Sequence, residues 1–218
     1  MKRKLKFLKL YYEPHVSDYP LGAFLLQKYN QIEQIEISSH NNIEELRKYE
    51  NKDFPKLKQY LIIGTRKTHK YVENHKISDF LVPFTSSGCS AMCLYCYLVC
   101  NYNKCSYLRV FVNTQEILDK LIHHANQSKQ EYVYEIGSNS DLLLENLVTE
   151  DLLENLTYFL NNTKQGILTF PTKFDAIEPL LHLEQKERIL PRMSLNPSSI
   201  INRVELRYQS PIGSFKCY

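Results

Sequence analysis

The sequence predicts an α/β chain: a partial (β/α) barrel with a parallel sheet over residues 79–218, preceded by a small α/β extension over residues 1–78. Three observations carry this. From residue 79 onward, short β-rich runs alternate with amphipathic helical runs, the rhythm of right-handed βαβ units. The polar and cysteine-rich clusters fall where strands end, and parallel sheets build their sites at the C-terminal ends of strands. The alternating region is 140 residues long, whereas a closed eight-strand barrel takes about 250, so the barrel is read as open or unfinished.

In chain order, residues 4–11 read as a strand. Asp18-Tyr19-Pro20 offers an N-cap and an early proline, and Leu21, Phe24, Leu25 and Tyr29 continue at helical spacing. Over residues 32–37 isoleucine alternates with polar residues, the pattern of a half-buried strand. Residues 42–49 suit a short helix. Tyr60-Leu61-Ile62-Ile63-Gly64 is a buried strand closed by glycine, and the basic run Thr65-Arg66-Lys67-Thr68-His69-Lys70 after it reads as a solvated edge before a phosphate site.

Residues 80–84 form the first strand of the alternating region, with a cysteine loop at its end. Residues 108–112 form the second strand. Asn113-Thr114-Gln115-Glu116 resembles a capping box for the helix carrying Ile117, Leu118, Leu121 and Ile122. Residues 132–136 are the third strand, closed by Gly137. Thr149 is the expected cap of a helix with Leu152, Leu153, Leu156, Phe159 and Leu160 on it. Residues 166–170 form the fourth strand, 175–183 a short helix capped by Asp175, and 189–195 the fifth strand. Only 22 residues follow Asn196, and they show no further strand–helix pair.

The chemistry gathers in Gly88-Cys89-Ser90-Ala91-Met92-Cys93-Leu94-Tyr95-Cys96-Tyr97, which spaces three thiols as Cys-x3-Cys-x2-Cys. Three thiolates on one short loop suit three irons of a [4Fe–4S] cluster and leave the fourth iron open to another ligand. A zinc site completed by Cys100 or Cys105 competes with this reading, although zinc motifs usually arrive as two separated pairs and no second pair is present. Inert buried cysteines are the third alternative.

The rest of the composition is bland. The chain has 218 residues, 43% hydrophobic and 23% charged, with a net charge of +3, a mild excess that permits nucleic-acid contact without arguing for it. No apolar run approaches the about 20 residues needed to span a bilayer. The basic start, Met1-Lys2-Arg3-Lys4-Leu5-Lys6, lacks the apolar stretch of a signal peptide. A cytoplasmic location is expected, where six cysteines, four of them within residues 89–100, imply metal or redox chemistry rather than disulfides.

An open iron calls for a chelating ligand, and the amino and carboxylate groups of a methionine-type cofactor would suit it. Cys89-x3-Cys93-x2-Cys96, with Tyr95 before the last cysteine, resembles the signature of radical S-adenosylmethionine enzymes. A narrower resemblance, to the spore photoproduct lyase family, runs from about residue 8 to 205. It is carried by Tyr11-Tyr12-Glu13-Pro14, Asp18-Tyr19-Pro20-Leu21-Gly22, Gly64-Thr65-Arg66-Lys67-Thr68 and Gly88 through Leu98. Leu108-Arg109-Val110-Phe111-Val112-Asn113, Thr172-Lys173 and Met193-Ser194-Leu195-Asn196 continue it.

This resemblance implies a partial barrel of radical S-adenosylmethionine type and a DNA repair lyase acting on the thymine dimer of ultraviolet-damaged spore DNA. A 5′-deoxyadenosyl radical would abstract a hydrogen from the dimer, the bond between the bases would break, and a thymine radical would then be quenched. The cofactors implied are a [4Fe–4S] cluster on Cys89, Cys93 and Cys96, and S-adenosylmethionine held by Ser140, Lys173, Ser194 and Asn196. Hydroxyls and an amide suit ribose and methionine, and a lysine suits the carboxylate. Taken alone, Ser140 would serve equally as a turn cap and Lys173 as a surface charge. Tyr95 and Tyr97 match tyrosines that relay a hydrogen atom, though isolated tyrosines beside such a loop usually pack. The implied partners are damaged DNA, with the dimer flipped out of the stack, and an external electron donor such as a flavodoxin or ferredoxin.

Two departures stand out. Ser138 occupies the position where the family often has a hydrogen-donating cysteine, which nominates Cys100, Cys105 or Tyr97 as substitute donor. Residues 211–218 do not resemble the family, so the sequence reads as stopping before the barrel is closed, with an exposed apolar sheet edge after the fifth strand. A non-catalytic remnant binding cluster, zinc or nucleic acid, and a radical enzyme with another substrate, are the alternatives.

Overall fold

The computed structural model describes residues 5–101 and 107–205, which form a mixed α/β fold containing two five-stranded sheets. The chain runs through β1 (Lys9–Tyr12), α1 (Pro20–Lys28), β2 (Glu33–Glu36), α2 (Glu44–Arg47), α3 (Phe54–Leu57) and β3 (Tyr60–Gly64). It continues through β4 (Val72–Glu73), β5 (Phe80–Leu81), β6 (Ser86–Ser87), α4 (Tyr97–Asn101), β7 (Leu108–Phe111) and α5 (Thr114–Gln127). Then come β8 (Val133–Glu135), α6 (Leu142–Thr149), α7 (Leu152–Asn162), β9 (Ile167–Thr172), β10 (Ile189–Met193) and α8 (Ser198–Val204).

The first sheet has the order β2-β1-β3-β7-β6, parallel except for the β6–β7 pair. All five residues of β3 are buried, as expected of a central parallel strand covered on both faces. One face packs on α1 through Leu10, Leu25, Leu61 and Val110, and the other buries Tyr11, Leu46, Leu57 and Tyr60. Tyr19, not Asp18, is the N-cap of α1; Asp18 closes a preceding 3-10 turn and Pro20 takes the first helical position. Gly22 is required there, because a Cβ would lie 1.8 Å from the Val16 carbonyl oxygen.

The second sheet has the order β10-β9-β8-β5-β4, parallel except for β4–β5. Its core is formed with α5, α6 and α7 by Leu121, Tyr134, Leu156, Phe159, Leu168 and Phe170, each no more than 1% exposed. The expected strand over residues 80–84 is shortened to its first half, and the chain crosses to the first sheet only from Thr85 onward. β5 pairs with β8, the Val82 N–H continues the ladder to Glu135, the Thr85 carbonyl accepts from Phe111, and β6 joins β7. Residues 80–87 therefore lace the two sheets together immediately before the cysteine loop. Strand pairing also crosses the expected boundary at residue 78, since β7 joins β3.

Several local expectations are corrected. Asn113 holds the N-cap position of α5 but does not cap it; its amide bonds the Arg66 N–H (2.8 Å), the Arg66 carbonyl (2.9 Å) and Glu116 (2.9 Å). Thr149 ends α6, a helix the sequence reading missed, and Asp151 precedes α7. The helix expected over residues 175–183 is only a 3-10 turn at Glu178–His182. After Asn196 a helix does form, α8, and it docks on the cysteine loop: the Leu94 N–H donates to the Val204 carbonyl, and Cys93 bridges to Glu205. β10 is an edge strand among the described residues, with Leu190 and Leu195 exposed. Residues 206–218 lie outside the described residues, so the expectation for 211–218 is not addressed.

Candidate functional site

The cysteine loop follows β6 and runs into α4. Gly88 turns the chain with φ +81°, a left-handed conformation that suits glycine. Cys93 is buried and Cys89 and Cys96 are partly so, and all three are free thiols. Burial pushes the Cys89 thiol well above its ordinary range, with Glu145 adding to the effect, and pushes Cys93 up to about 11. Lys58 acts in the opposite direction on both thiols, as does Lys173 on Cys93, without offsetting burial. Among the described residues no three Cys, His, Asp or Glu side chains converge on one ion. A cubane cluster takes one thiolate per iron, so its cysteines need not converge on a point, and the donor set fits such a group.

Two clusters of polar residues flank the loop. In the first, Glu205 is 4% exposed and its carboxylate accepts from three of the predicted residues or their neighbours. Lys173 Nζ donates to it at 3.0 Å, Asn196 Nδ2 at 2.7 Å, and the Tyr95 hydroxyl also donates. Asn196 Nδ2 reaches the Tyr95 oxygen as well, at 2.9 Å, and the Lys173 ammonium sits 5.2 Å from the centre of the Tyr95 ring. Burial would raise the Glu205 carboxyl, but the three donors outweigh it and hold it below the ordinary range. Lys173 is raised: hydrogen bonds to Tyr95 and Glu205 overcome the opposing cost of burial.

The second cluster opens on a cavity of about 820 Å³ lined by Ser86, Tyr97, Ser138, Asn139, Arg192 and Ser194, among others. Gly137, with φ +67°, turns the chain out of β8 into this cavity. Tyr97 is half-exposed, and its hydroxyl donates to the Ser138 carbonyl at 2.8 Å and to Asn139 Oδ1 at 3.1 Å. Ser140 is buried and accepts from the Ser86 hydroxyl at 3.0 Å. On the far wall Arg192 pairs with Glu135 at 2.7 Å. A larger groove of about 990 Å³ lies elsewhere, beside Phe24, Lys120 and Tyr158, and holds none of the predicted residues.

Asp141 joins the two clusters. Its carboxylate accepts from the Leu144 N–H at the start of α6, from Thr172 Oγ1 (2.8 Å) and from the Lys173 N–H (2.8 Å). The Ser194 N–H in turn donates to the Thr172 carbonyl at 2.7 Å. Lys173 and Asn196 thus lie in the Glu205 cluster and Ser140 and Ser194 on the cavity side, the two linked through Asp141 and Thr172. Tyr95 and Tyr97 point to different clusters. Cys100 and Cys105 lie outside the residues whose side chains are described. The sequence reading missed Asp141, Glu145, Lys58 and Glu205. Asp141 did carry a signal, an N-cap residue type followed by Leu142-Leu143-Leu144.

The model of the spore photoproduct lyase family matches residues 7–212. Spore photoproduct lyase of Bacillus subtilis (strain 168) is 30% identical over 200 residues, covering 90% of this chain and 58% of the relative. That of Clostridium acetobutylicum is 28% identical over 207 residues, covering 94% and 61%. Among solved structures, spore photoproduct lyase complexed with dinucleoside spore photoproduct matches with a TM-score of 0.84 at 28% identity, covering 95% of this chain and 62% of that one. A mutant with bound AdoMet and dinucleoside spore photoproduct matches with a TM-score of 0.82 at 28% identity, covering 93% and 60%. The chain spans 58–62% of the length of these relatives.

Proposed function

The chain belongs to the spore photoproduct lyase family, and on that premise we propose that it is a radical S-adenosylmethionine lyase that reverses the spore thymine dimer in DNA. The observation that carries the reading is the position of the three-cysteine loop between the Lys173–Asn196–Glu205 cluster and the cavity lined by Ser138 and Tyr97. Cys89, Cys93 and Cys96 would hold a [4Fe–4S] cluster. When bound, cluster and S-adenosylmethionine would supply a 5′-deoxyadenosyl radical that takes a hydrogen atom from the dimer.

The chain's own residues then have distinct tasks. Lys173 binds the methionine carboxylate as a charge-assisted donor, and Glu205 accepts from the methionine amino group while keeping Lys173 in place. Ser140, Ser194 and Asn196 supply hydroxyls and an amide for the ribose and the methionine. The cavity of about 820 Å³ receives the flipped-out dimer. With Ser138 in place of a thiol, Tyr97, which lines the same cavity and bonds the Ser138 carbonyl, is the group that gives a hydrogen atom to the thymine radical, and Tyr95 lies two residues away on the cofactor side. Cys100 and Cys105 remain the alternative donors. An external flavodoxin or ferredoxin supplies the electron. No helix among the described residues is long and apolar enough to cross a membrane.

The test is an anaerobic preparation reconstituted with iron and sulfide, reduced, and given S-adenosylmethionine with and without dinucleoside spore photoproduct. Iron and sulfide near four per chain, formation of 5′-deoxyadenosine and release of thymidylyl-thymidine are expected. Cluster uptake without cleavage of S-adenosylmethionine would sink the enzymatic reading and leave a binding-only protein, an outcome that the chain's 58% coverage of its relative makes worth separating.

A further inference from the structure

One peptide group of the cysteine loop is gripped from both sides by two buried side chains, a lysine and a carboxyl group, that the proposed mechanism does not use. The carbonyl of Cys89 accepts from Lys58 Nζ at 2.7 Å. The N–H of the same peptide unit, which belongs to Ser90, donates to Glu145 Oε1 at 3.1 Å. The Ser90 hydroxyl adds contacts of 3.3 and 3.4 Å to the same carboxylate. Lys58 is 0% exposed and Glu145 is 2% exposed. Lysine and glutamate are seldom buried to that degree unless they are paired or hydrogen-bonded, and here the peptide group supplies a partner to each.

The two grips come from distant parts of the chain. Lys58 follows α3, where its own N–H closes the helix onto the Phe54 carbonyl at 2.9 Å. Glu145 lies one turn into α6, its position fixed by the Asp141 cap. Opposite ends of one peptide dipole therefore meet a lysine and a carboxyl group. This fixes the plane of the Cys89–Ser90 peptide and with it the direction of the Cys89 side chain.

We infer that Lys58 and Glu145 are positioning residues for the first cysteine of the cluster loop, and that the Lys58 ammonium also favours the reduced cluster. The inference rests on the proposed function only in taking a [4Fe–4S] cluster as what the three cysteines hold. Adding one electron makes a thiolate-bound cluster more negative. A buried positive charge within one peptide unit of its ligand stabilises that state, and nearby charge is among the levers that set cluster potentials.

The experiment uses the full chain reconstituted anaerobically with iron and sulfide, alongside Lys58→Met, Glu145→Gln and Glu145→Leu. The readouts are iron and sulfide content, the midpoint potential, and the electron paramagnetic resonance spectrum of the reduced cluster without added cofactor. Lys58→Met is expected to fold by circular dichroism, bind the cluster, and shift the potential downward by about 59 mV, a tenfold loss in the one-electron reduction equilibrium. Glu145→Gln keeps an acceptor for the Ser90 N–H and should retain the wild-type spectrum, whereas Glu145→Leu should alter it. Should Lys58→Met not fold, the contrast between the two Glu145 variants decides. Identical spectra and potentials for loaded wild type and variants would overturn the clamp alone. A wild-type chain that takes up no iron and sulfide would overturn the proposed function, and the clamp with it.

Discussion

Lys173 Nζ lies 3.0 Å from Glu205 Oε1, tying the end of β9 to the residue after α8 directly beside Cys93. Both groups are shifted toward their charged forms, and Glu205 is almost fully buried. Removing the carboxylate charge leaves a largely buried ammonium with a weaker partner. Glu205→Gln should therefore cost about 1–3 kcal/mol in urea unfolding. Lys173→Met should weaken S-adenosylmethionine binding at least tenfold in equilibrium dialysis of the reconstituted protein. Unchanged affinity in that variant would remove Lys173 from the cofactor site.

Asp141 carries more structural duty than any predicted site residue. It caps α6 and orients both Thr172 and the backbone of Lys173. Asp141→Ala loses a helix cap and leaves two donors in a buried site without their acceptor, a loss of about 2–4 kcal/mol. Asp141→Asn keeps one acceptor oxygen and should lose less. A denaturation midpoint for Asp141→Ala equal to that of wild type would refute this role.

What the sequence disclosed and what it hid follow from the range of the interactions. β3 is legible because five apolar residues ending in glycine describe a buried strand locally, and its bounds are those expected. The cysteine loop is legible because its chemistry lies in spacing alone. The segment over residues 80–84 reads as one strand because it is uniformly apolar, yet only its first half pairs with β8 and the chain joins the other sheet from Thr85 onward, a choice made by partners 54 (Leu81–Glu135) and 24 (Ser86–Val110) residues away in sequence. Asn113 fails as a cap for the same reason, since its amide finds Arg66 across the sheet instead. Glu205 and Lys58 gave no local sign, because each acquires meaning only when a distant segment folds against the loop.

Ser138 makes the quenching step testable. Tyr97 donates a hydrogen bond to the Ser138 carbonyl, so a thiol introduced at position 138 would sit beside the proposed donor. Ser138→Cys should raise the yield of repaired thymidylyl-thymidine per 5′-deoxyadenosine, because a thiol S–H bond gives up its hydrogen far more readily than the alcohol O–H of the serine it replaces. Tyr97→Phe should lower that ratio in the wild-type background without changing S-adenosylmethionine affinity. Product analysis by mass spectrometry reads both. A Tyr97→Phe protein with the wild-type ratio would exclude Tyr97 as donor and shift attention to Cys100 and Cys105.

Glu13 and His40, at the C-terminal end of the first sheet, should contribute to the acid limb of stability, together with other lowered groups such as Glu205 and His124. Glu13 accepts from the His40 N–H (2.8 Å) and the Thr65 N–H (2.9 Å) and pairs with His40 Nδ1 at 2.7 Å. Burial alone would raise Glu13, but these bonds and His40 together hold its carboxyl below the ordinary 4.5. His40 is pushed below the ordinary 6.5, foremost by burial; Glu13 opposes this while Arg109 and Arg66 add to it. Both folded-state values lie below the unfolded ones, so as pH falls the unfolded chain binds protons first. Stability is fully present above about pH 6.5, then falls as His40 is titrated in the unfolded state, and falls further below about pH 4.5 as Glu13 follows. Melting temperatures measured between pH 4 and 8 should fall toward acid in wild type. His40→Gln should reduce the slope between about pH 6.5 and 5, leaving the drop below about pH 4.5 to Glu13 and the other lowered carboxylates. A His40→Gln curve parallel to wild type across that upper window would show that His40 does not contribute to the acid limb.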